Sequence, residues 1–261
     1  MEKGRLERYS RHIVLDEVGL SGQIKLTNST VTVVGAGGLG SPALLYLAAA
    51  GIGKIRVIDD DVVDESNLQR QVIHSEAEVG SSKVGSVERR LRALDREIII
   101  EPVEQKVSPE NAEHLLRGSD VVIDGTDSFD ARYSINDACK TLNIPWVFAS
   151  VLRFEGQVSV FNHENGPNYR DLFPDSPPSE LAPTCADAGV LGAITGILGS
   201  IQAAEAIKIL LGIGETLSGR LLILDAMTMK TRILKIKFSG KEKTSNVSET
   251  EFRNSIPLST L

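Results

Sequence analysis

Glycines, carboxylates and cations stand in this chain at spacings that could do chemistry together. Gly35, Gly37 and Gly40 occupy a G-x-G-x-x-G register, with Gly38 added. Glycines so spaced let backbone come close to a phosphate while the N–H groups of a following helix point at it. Asp59 follows Gly40 by nineteen residues, where a carboxylate reaches a ribose hydroxyl pair. After it come Asp60 and Asp61, then Asp64, Ser66, Asn67, Gln69 and Arg70, a polar run that reads as the edge of a ligand site. Lys83 stands near the start of a helix-like segment, and Asp127 with Ser128 follows another strand-like one. Open α/β sheets bind ligands just beyond the carboxyl ends of their strands.

Two chemistries compete for this set. A nicotinamide oxidoreductase would put Asp59 on the adenosine ribose and needs a proton relay. None of the histidines, His12, His74, His114 and His163, lies just after a central strand. Nucleotidyl transfer instead needs cations around a triphosphate, a metal ligand, and room for a carboxylate-bearing second substrate. Arg70, Lys83, an N-terminal arginine and Asp127 meet that need. Asp127 would bind a divalent ion bridging phosphate oxygens, and Asp60 and Asp61 would help hold metal or sugar. A carboxylate nucleophile is already ionised at neutral pH, so no general base is required.

The elements that must position these residues alternate strand and helix. A β-branched run over 31–34 predicts a buried strand running straight into the glycine turn. Ser41 is then expected as N-cap, with Pro42 opening a helix over 42–50 that stops at Gly51. Further strands are predicted over 54–58, 97–103, 120–123 and 145–149, and helices over 81–93, 109–116 and 129–142. From Val151 the alternation stops. Residues 157–161 predict an antiparallel strand with one wetter face, and 220–225 and 232–238 predict closing strands. Between them lie a loop over 162–187 with five prolines and a long helix over 189–211. Gly192, Gly196 and Ser200 are expected to pack that helix tightly, in the core or against another subunit. Ahead of everything, 5–18 predicts an amphipathic helix with Leu6, Tyr9, Ile13 and Val14 as its apolar stripe and arginines on solvated faces. The expected fold is α/β: a Rossmann-like, doubly wound, mostly parallel sheet extended by antiparallel strands. One domain would span 1–238, with a polar, flexible tail over 239–261.

Of the 261 residues, 41% are hydrophobic, enough for a substantial core, and the formal net charge is -7. That balance argues against nucleic acid or a membrane surface as partner. Two cysteines, Cys139 and Cys185, cannot build a disulfide framework. The charged opening over 1–19 does not read as a signal peptide, and the apolar stretch over 188–201 is short and interrupted. A cytoplasmic protein without a membrane span is expected.

The residues together form a recognisable set: RYSRHI (8–13), GAGGLGS (35–41), AAAGIGKIRVIDDDVVDESNLQRQ (48–71), GSSKV (80–84), DGTDSFDARYSIN (124–136) and AGVLGAITGILGSIQAAEAIKIL (188–210). The chain resembles the ubiquitin-activating-enzyme-like family, above all its ThiF/MoeB/HesA branch of molybdopterin-synthase and thiamine sulfur-carrier adenylyltransferases. The resemblance covers 5–238, and Asn67-Leu68-Gln69-Arg70-Gln71 is far more specific than the glycines.

The resemblance implies ATP on Gly35, Gly37, Gly38 and Gly40, with Asp59 on the ribose. It implies Asp61, Ser66, Asn67, Gln69 and Arg70 around the same pocket and Lys83 on ribose and phosphate. Asp127, with Ser128, would close the site and carry Mg2+. Arg11 matches the family's arginine finger, which reaches the neighbouring subunit's γ-phosphate and so implies a homodimer. The implied second substrate is a small ubiquitin-like carrier protein ending in Gly-Gly, activated as an acyl-adenylate, with a sulfurtransferase as a further partner. Cys185 stands where relatives often carry a cysteine, and is a candidate nucleophile. Relatives hold structural zinc with two cysteine pairs. Here Asn168 and Asp171 occupy the first pair and no cysteine follows Cys185, so no zinc site and a more mobile loop are expected. A catalytically silent scaffold of the same superfamily is the remaining alternative.

Overall fold

The computed structural model describes residues 3–176 and 189–238; Cys185, the rest of 177–188 and the 239–261 tail lie outside the described residues. The chain enters through three short helices, α1 (Lys3–Arg8), α2 (Ser10–Ile13) and α3 (Gly19–Thr27), the first two in place of the single helix expected over 5–18. Tyr9 alone of the expected stripe is buried, while Leu6 and Val14 are exposed. The reason is a polar anchor. Arg5 donates two bonds to the Asp95 carboxylate, at 3.0 and 2.7 Å, and the Tyr9 hydroxyl donates to it at 3.1 Å. Arg8 donates to the Leu94 carbonyl. Arg5 is therefore a largely buried anchor, not the solvated side chain expected, while Arg8 stays exposed.

Strands β1 (Thr30–Val34), β2 (Lys54–Ile58), β3 (Ile99–Val103), β4 (Val121–Asp124) and β5 (Trp146–Leu152) alternate with helices. They pair in parallel in the spatial order β3-β2-β1-β4-β5. The chain builds outward from β1 through β2 to β3, then returns to set β4 on the other side of β1. The loops leaving β1 and β4 thus diverge around a crevice at the strands' carboxyl ends. Strands β6 (Glu155–Phe161), β7 (Arg220–Asp225) and β8 (Lys230–Lys235) extend the sheet antiparallel.

One face of the sheet is covered by α4 (Gly40–Ala50), α5 (Lys83–Leu94) and the long helix near the chain's end, whose Leu44, Val87 and Leu198 share a core with Val33 and Val158. The other face carries α6 (Ala112–Leu116), α7 (Phe129–Leu142) and the single turn α8 (Tyr169–Leu172), packed on Trp146, Phe148 and Phe161. The long helix, α9 (Gly192–Leu211), has the length and hydropathy of a membrane span, but half of it is buried in this fold, as expected of a core helix. Burying side chains of this size contributes about 1.5–3 kcal/mol each.

Three expectations are corrected. The wetter face of β6 does not exist: Gln157 and Ser159 are both buried, because α9 covers one side and the aromatic layer the other. Ser159 donates to the Arg220 carbonyl at 2.8 Å. Ser41 is not an N-cap. Helix α4 already starts at Gly40, and the buried Ser41 hydroxyl has no partner among the described residues. Finally, α9 begins at Gly192 and its ridge is not uniformly packed: a Cβ on Gly192 would lie 2.4 Å from the Gln69 carbonyl oxygen, whereas Gly196 has nothing within 4 Å.

Candidate active site

The glycine loop begins where β1 ends, and two of its glycines serve packing as much as any ligand. Gly35 has a left-handed φ of +91°, and a Cβ on it would stand 2.7 Å from the Gly125 carbonyl carbon. A Cβ on Gly40 would stand 1.9 Å from the Gly35 carbonyl oxygen. Gly35, Gly37 and Gly38 line a cleft of about 290 Å³, while Gly40 is not part of its lining. Between them, Ala36 is gripped on both sides. Its N–H donates to Asp59 Oδ2 at 2.7 Å, and its carbonyl lies 3.0 Å from His74 Nε2. A carbonyl can only accept, so the His74 proton sits on Nε2 and Nδ1 accepts from the Ser86 hydroxyl at 2.8 Å. Burial holds the His74 pKa below that of a free imidazole.

At the end of β2, Asp59 Oδ1 also accepts the Asp61 N–H at 2.9 Å. Burial raises the pKa of Asp59, against the pull of Lys83 and the two backbone donors. Lys83 is buried, and its Nζ donates to Asp61 Oδ2 at 2.7 Å. It is placed there because it opens α5, whose N-cap Ser82 accepts the Gly85 N–H. Carboxylate oxygens of Asp59, Asp60 and Asp61 lie within 4.8 Å of one another. Arg70 lines the cleft and donates to the Ser66 carbonyl at 3.2 Å.

The far wall is the loop after β4. Asp124, wholly buried, accepts the Thr126 N–H at 2.8 Å and its hydroxyl at 2.6 Å. Burial pushes the Asp124 carboxyl up to about 6 in spite of nearby Arg132. Asp127 is exposed and lines the cleft, and Ser128 beside it caps α7 by accepting the Ala131 N–H at 3.3 Å. Carboxylate oxygens facing an open cleft are the donor chemistry that hard divalent cations take.

A family model described as the ThiF family matches residues 9–246. The chain belongs to the ThiF family. It is 48% identical over 241 residues to the probable adenylyltransferase/sulfurtransferase MoeZ of Mycobacterium tuberculosis, covering 91% of this chain and 62% of that protein. It is 50% identical over 229 residues to the SAMP-activating enzyme E1 of Haloferax volcanii, covering 88% of this chain and 84% of the enzyme. With the adenylyltransferase and sulfurtransferase MOCS3 of Anopheles gambiae it shares 50% identity over 237 residues, 91% of this chain and 54% of that one. The chain thus spans 62% of MoeZ and 54% of MOCS3. In fold it is similar to the crystal structure of Escherichia coli MccB, with a TM-score of 0.78 at 23% identity, over 93% of this chain and 74% of that one.

Within this ThiF-family cleft the structure gathers Gly35, Gly37, Gly38, Asp59, Asp61, Arg70, Lys83, Asp127 and Ser128. It does not bring every expected residue there. Ser66 and Asn67 form the 3-10 turn Glu65–Asn67, held by Asp64 accepting the Ser66 N–H at 2.8 Å, and neither they nor Gln69 line the cleft. Arg11, on α2, is exposed and outside the cleft, with no side-chain hydrogen bond or ion pair among the described residues. Asn168 and Asp171 form a capping box on α8, with Asp171 Oδ2 accepting the Asn168 N–H at 2.8 Å.

Some residues of the site escaped sequence reasoning. Arg132, Gln71, Thr195 and Lys106 all line the cleft. Arg132 sits in the second turn of α7, where an arginine reads as ordinary helix surface. His74, read in the sequence as a poor proton relay, instead holds the Ala36 carbonyl. The local signal for both is their nearness to motifs already singled out: His74 lies four residues past Arg70, and Arg132 four past Ser128.

Proposed function

We propose that this chain transfers the adenylyl group of ATP to the C-terminal carboxylate of a small ubiquitin-like, β-grasp carrier or modifier protein ending in Gly-Gly. One observation carries the reading: a glycine loop, two cations at Arg70 and Lys83, and the exposed carboxylate of Asp127 all face one cleft. The names of MoeZ, MOCS3 and the SAMP-activating enzyme, at 48–50% identity, agree with it. In this reading the loop N–H groups around Gly35, Gly37 and Gly38 take the phosphates, and Gly40 keeps the loop's shape. Asp59 accepts from the ribose, with Asp61, Ser66, Asn67 and Gln69 at the pocket's edge. A carrier carboxylate oxygen bonds to the α-phosphorus as its bond to the bridging oxygen breaks. Pyrophosphate leaves with that electron pair, and Arg70 and Lys83 offset the charge gathering on it. Asp127 would hold Mg2+, which supplies charge neutralisation across the phosphate oxygens.

The active form is a homodimer with Arg11 acting in trans. Arg11 lies outside its own cleft, and its segment leaves the apolar side chains Leu6, Val14, Leu15, Leu20 and Ile24 exposed, surface that a second copy would cover. Cys185 is the candidate acceptor of the activated acyl group in onward transfer, with a sulfurtransferase as partner. The chain carries no structural zinc; stoichiometric zinc resisting chelation in the purified protein would contradict this. A cytoplasmic setting without nucleic acid or membrane as partner completes the reading.

The test is carrier-dependent exchange of labelled pyrophosphate into ATP, run with ubiquitin-like proteins ending in Gly-Gly. Exchange that needs both carrier and magnesium supports adenylation, and its absence with every such carrier refutes it. Nicotinamide binding without magnesium would point to the oxidoreductase instead. Arg11→Ala should lower exchange about a thousandfold or more while the dimer persists in sedimentation, on the scale of other arginine fingers. Undiminished exchange would remove the finger assignment.

A further inference from the structure

Asp127 has no side-chain hydrogen bond among the described residues, so its direction is inherited from the backbone before it. That backbone is held at Thr126 from both ends. Asp124 Oδ1 takes the Thr126 N–H at 2.8 Å and the hydroxyl at 2.6 Å, and Arg132 Nη2 donates to the Thr126 carbonyl at 3.2 Å. Neither gripping group can drift. Asp124 ends a strand inside the sheet, paired with Val34, and its carbonyl accepts from Gln202 at 2.7 Å. The Arg132 guanidinium lies 5.3 Å from the Phe129 ring centroid and 5.4 Å from that of Phe148.

The pair is a poor one by the standards of stability. Asp124 Oδ2 and Arg132 Nε are 3.8 Å apart, and both atoms are buried without a hydrogen-bond partner among the described residues. Buried charges left so incompletely matched are costly, and apolar residues of similar volume often serve stability better. What the two charges do achieve is purchase on the peptide that precedes Asp127. We infer that Asp124 and Arg132 are positioning residues that act through Thr126 to aim the Asp127 carboxylate, and so set how the cleft receives the magnesium–nucleotide complex. This rests on the adenylation reading above.

Three variants test it: Asp124→Asn, Arg132→Met and the two combined. Each single change leaves one buried charge alone and should lower the thermal midpoint, whereas the double change removes both charges and should recover most of it. Nucleotide affinity is then measured by calorimetry with and without magnesium, beside pyrophosphate exchange. In the double variant, magnesium-free ATP affinity is the reference against which the effect of magnesium is read. The gain in affinity on adding magnesium should fall about tenfold and exchange about a hundredfold, as misplacement of a reacting group by an ångström does. A double variant that regains stability, magnesium gain and exchange together would show the pair to be structural only and overturn the inference. An unaltered chain with no magnesium gain would overturn it as well. An unaltered chain that binds magnesium–ATP but exchanges with no carrier would refute adenylation alone, leaving the affinity comparison to decide the pair.

Discussion

The loop after β1 and the loop after β4 meet at Gly35 and Gly125, and each is gripped through one residue's N–H and carbonyl, but by different kinds of partner. In the first, the N–H and carbonyl of Ala36 are taken by half-buried Asp59 and buried His74, which have no ion pair with each other. In the second, an acid–arginine pair with two orphaned atoms holds Thr126 and leaves Asp127 exposed beyond it. The first loop is a cradle pinned at Ala36 before any ligand arrives. The second keeps its charge available, at a cost in stability. A site for a metal-bound triphosphate needs both: rigid donors for the phosphates and a carboxylate with nothing else to bind.

The largest effect that would break this contrast is on activity. Asp127→Ala should lower pyrophosphate exchange by about 10²–10³-fold, the scale of losing a main electrostatic group, with stability changed by less than about 0.5 kcal/mol. A large loss of stability would mean that Asp127 is braced after all. Next comes the cradle. Gly40→Ala drives a Cβ to 1.9 Å from the Gly35 carbonyl oxygen and should cost about 3 kcal/mol or more in denaturant unfolding. Gly37→Ala in the same loop, with its nearest neighbour the Gln71 amide at 3.6 Å, should cost under about 1 kcal/mol. Equal costs would show that the loop is not pinned at Gly40.

The third prediction sharpens the comparison through pH, because Asp124 and His74, one from each loop's grip, respond to acid with opposite sign. Asp124 titrates at about 6 in the fold against 3.8 when free. Its folded pKa is raised, so the stability it contributes is fully present below about pH 4 and is lost as pH rises through 6. Two units correspond to about 3 kcal/mol at most. His74 has a lowered pKa, so its contribution is present above the free-imidazole value of 6.5 and is lost as pH falls below it. Unfolding free energies between pH 4 and 7 should lose their acid-side gain in Asp124→Asn and their acid-side loss in His74→Gln. Identical pH profiles in both variants would remove the distinction between the loops.

Much of the site was legible in the sequence for a local reason. The glycine register, Asp59 nineteen residues on, Lys83 at a helix start and Asp127 after a strand are all short-range signals. Each belongs to an element whose type follows from its own residues: 54–58, 129–142 and 220–225 were read with the boundaries observed. The misreadings share a different cause. Gln157 looks like a wet position until α9 and the aromatic layer close on both sides of β6. The N-terminal stripe looks like a core face until Tyr9 and Arg5 are drawn to Asp95, 86 and 90 residues away.

The sequence by itself determined the order of strands and helices along the chain, the loops at which a nucleotide can approach, and the residue types on which the adenylation proposal rests, because periodicity, capping and turn glycines act over a few residues. Tertiary structure decided which of those residues share a cleft and which only hold it open. Gly40 proved to be a packing residue, Arg132 and His74 turned inward, and Arg11 was left outside. Such outcomes depend on contacts between distant segments, where burial and the matching of polar groups are settled only once the sheet has closed.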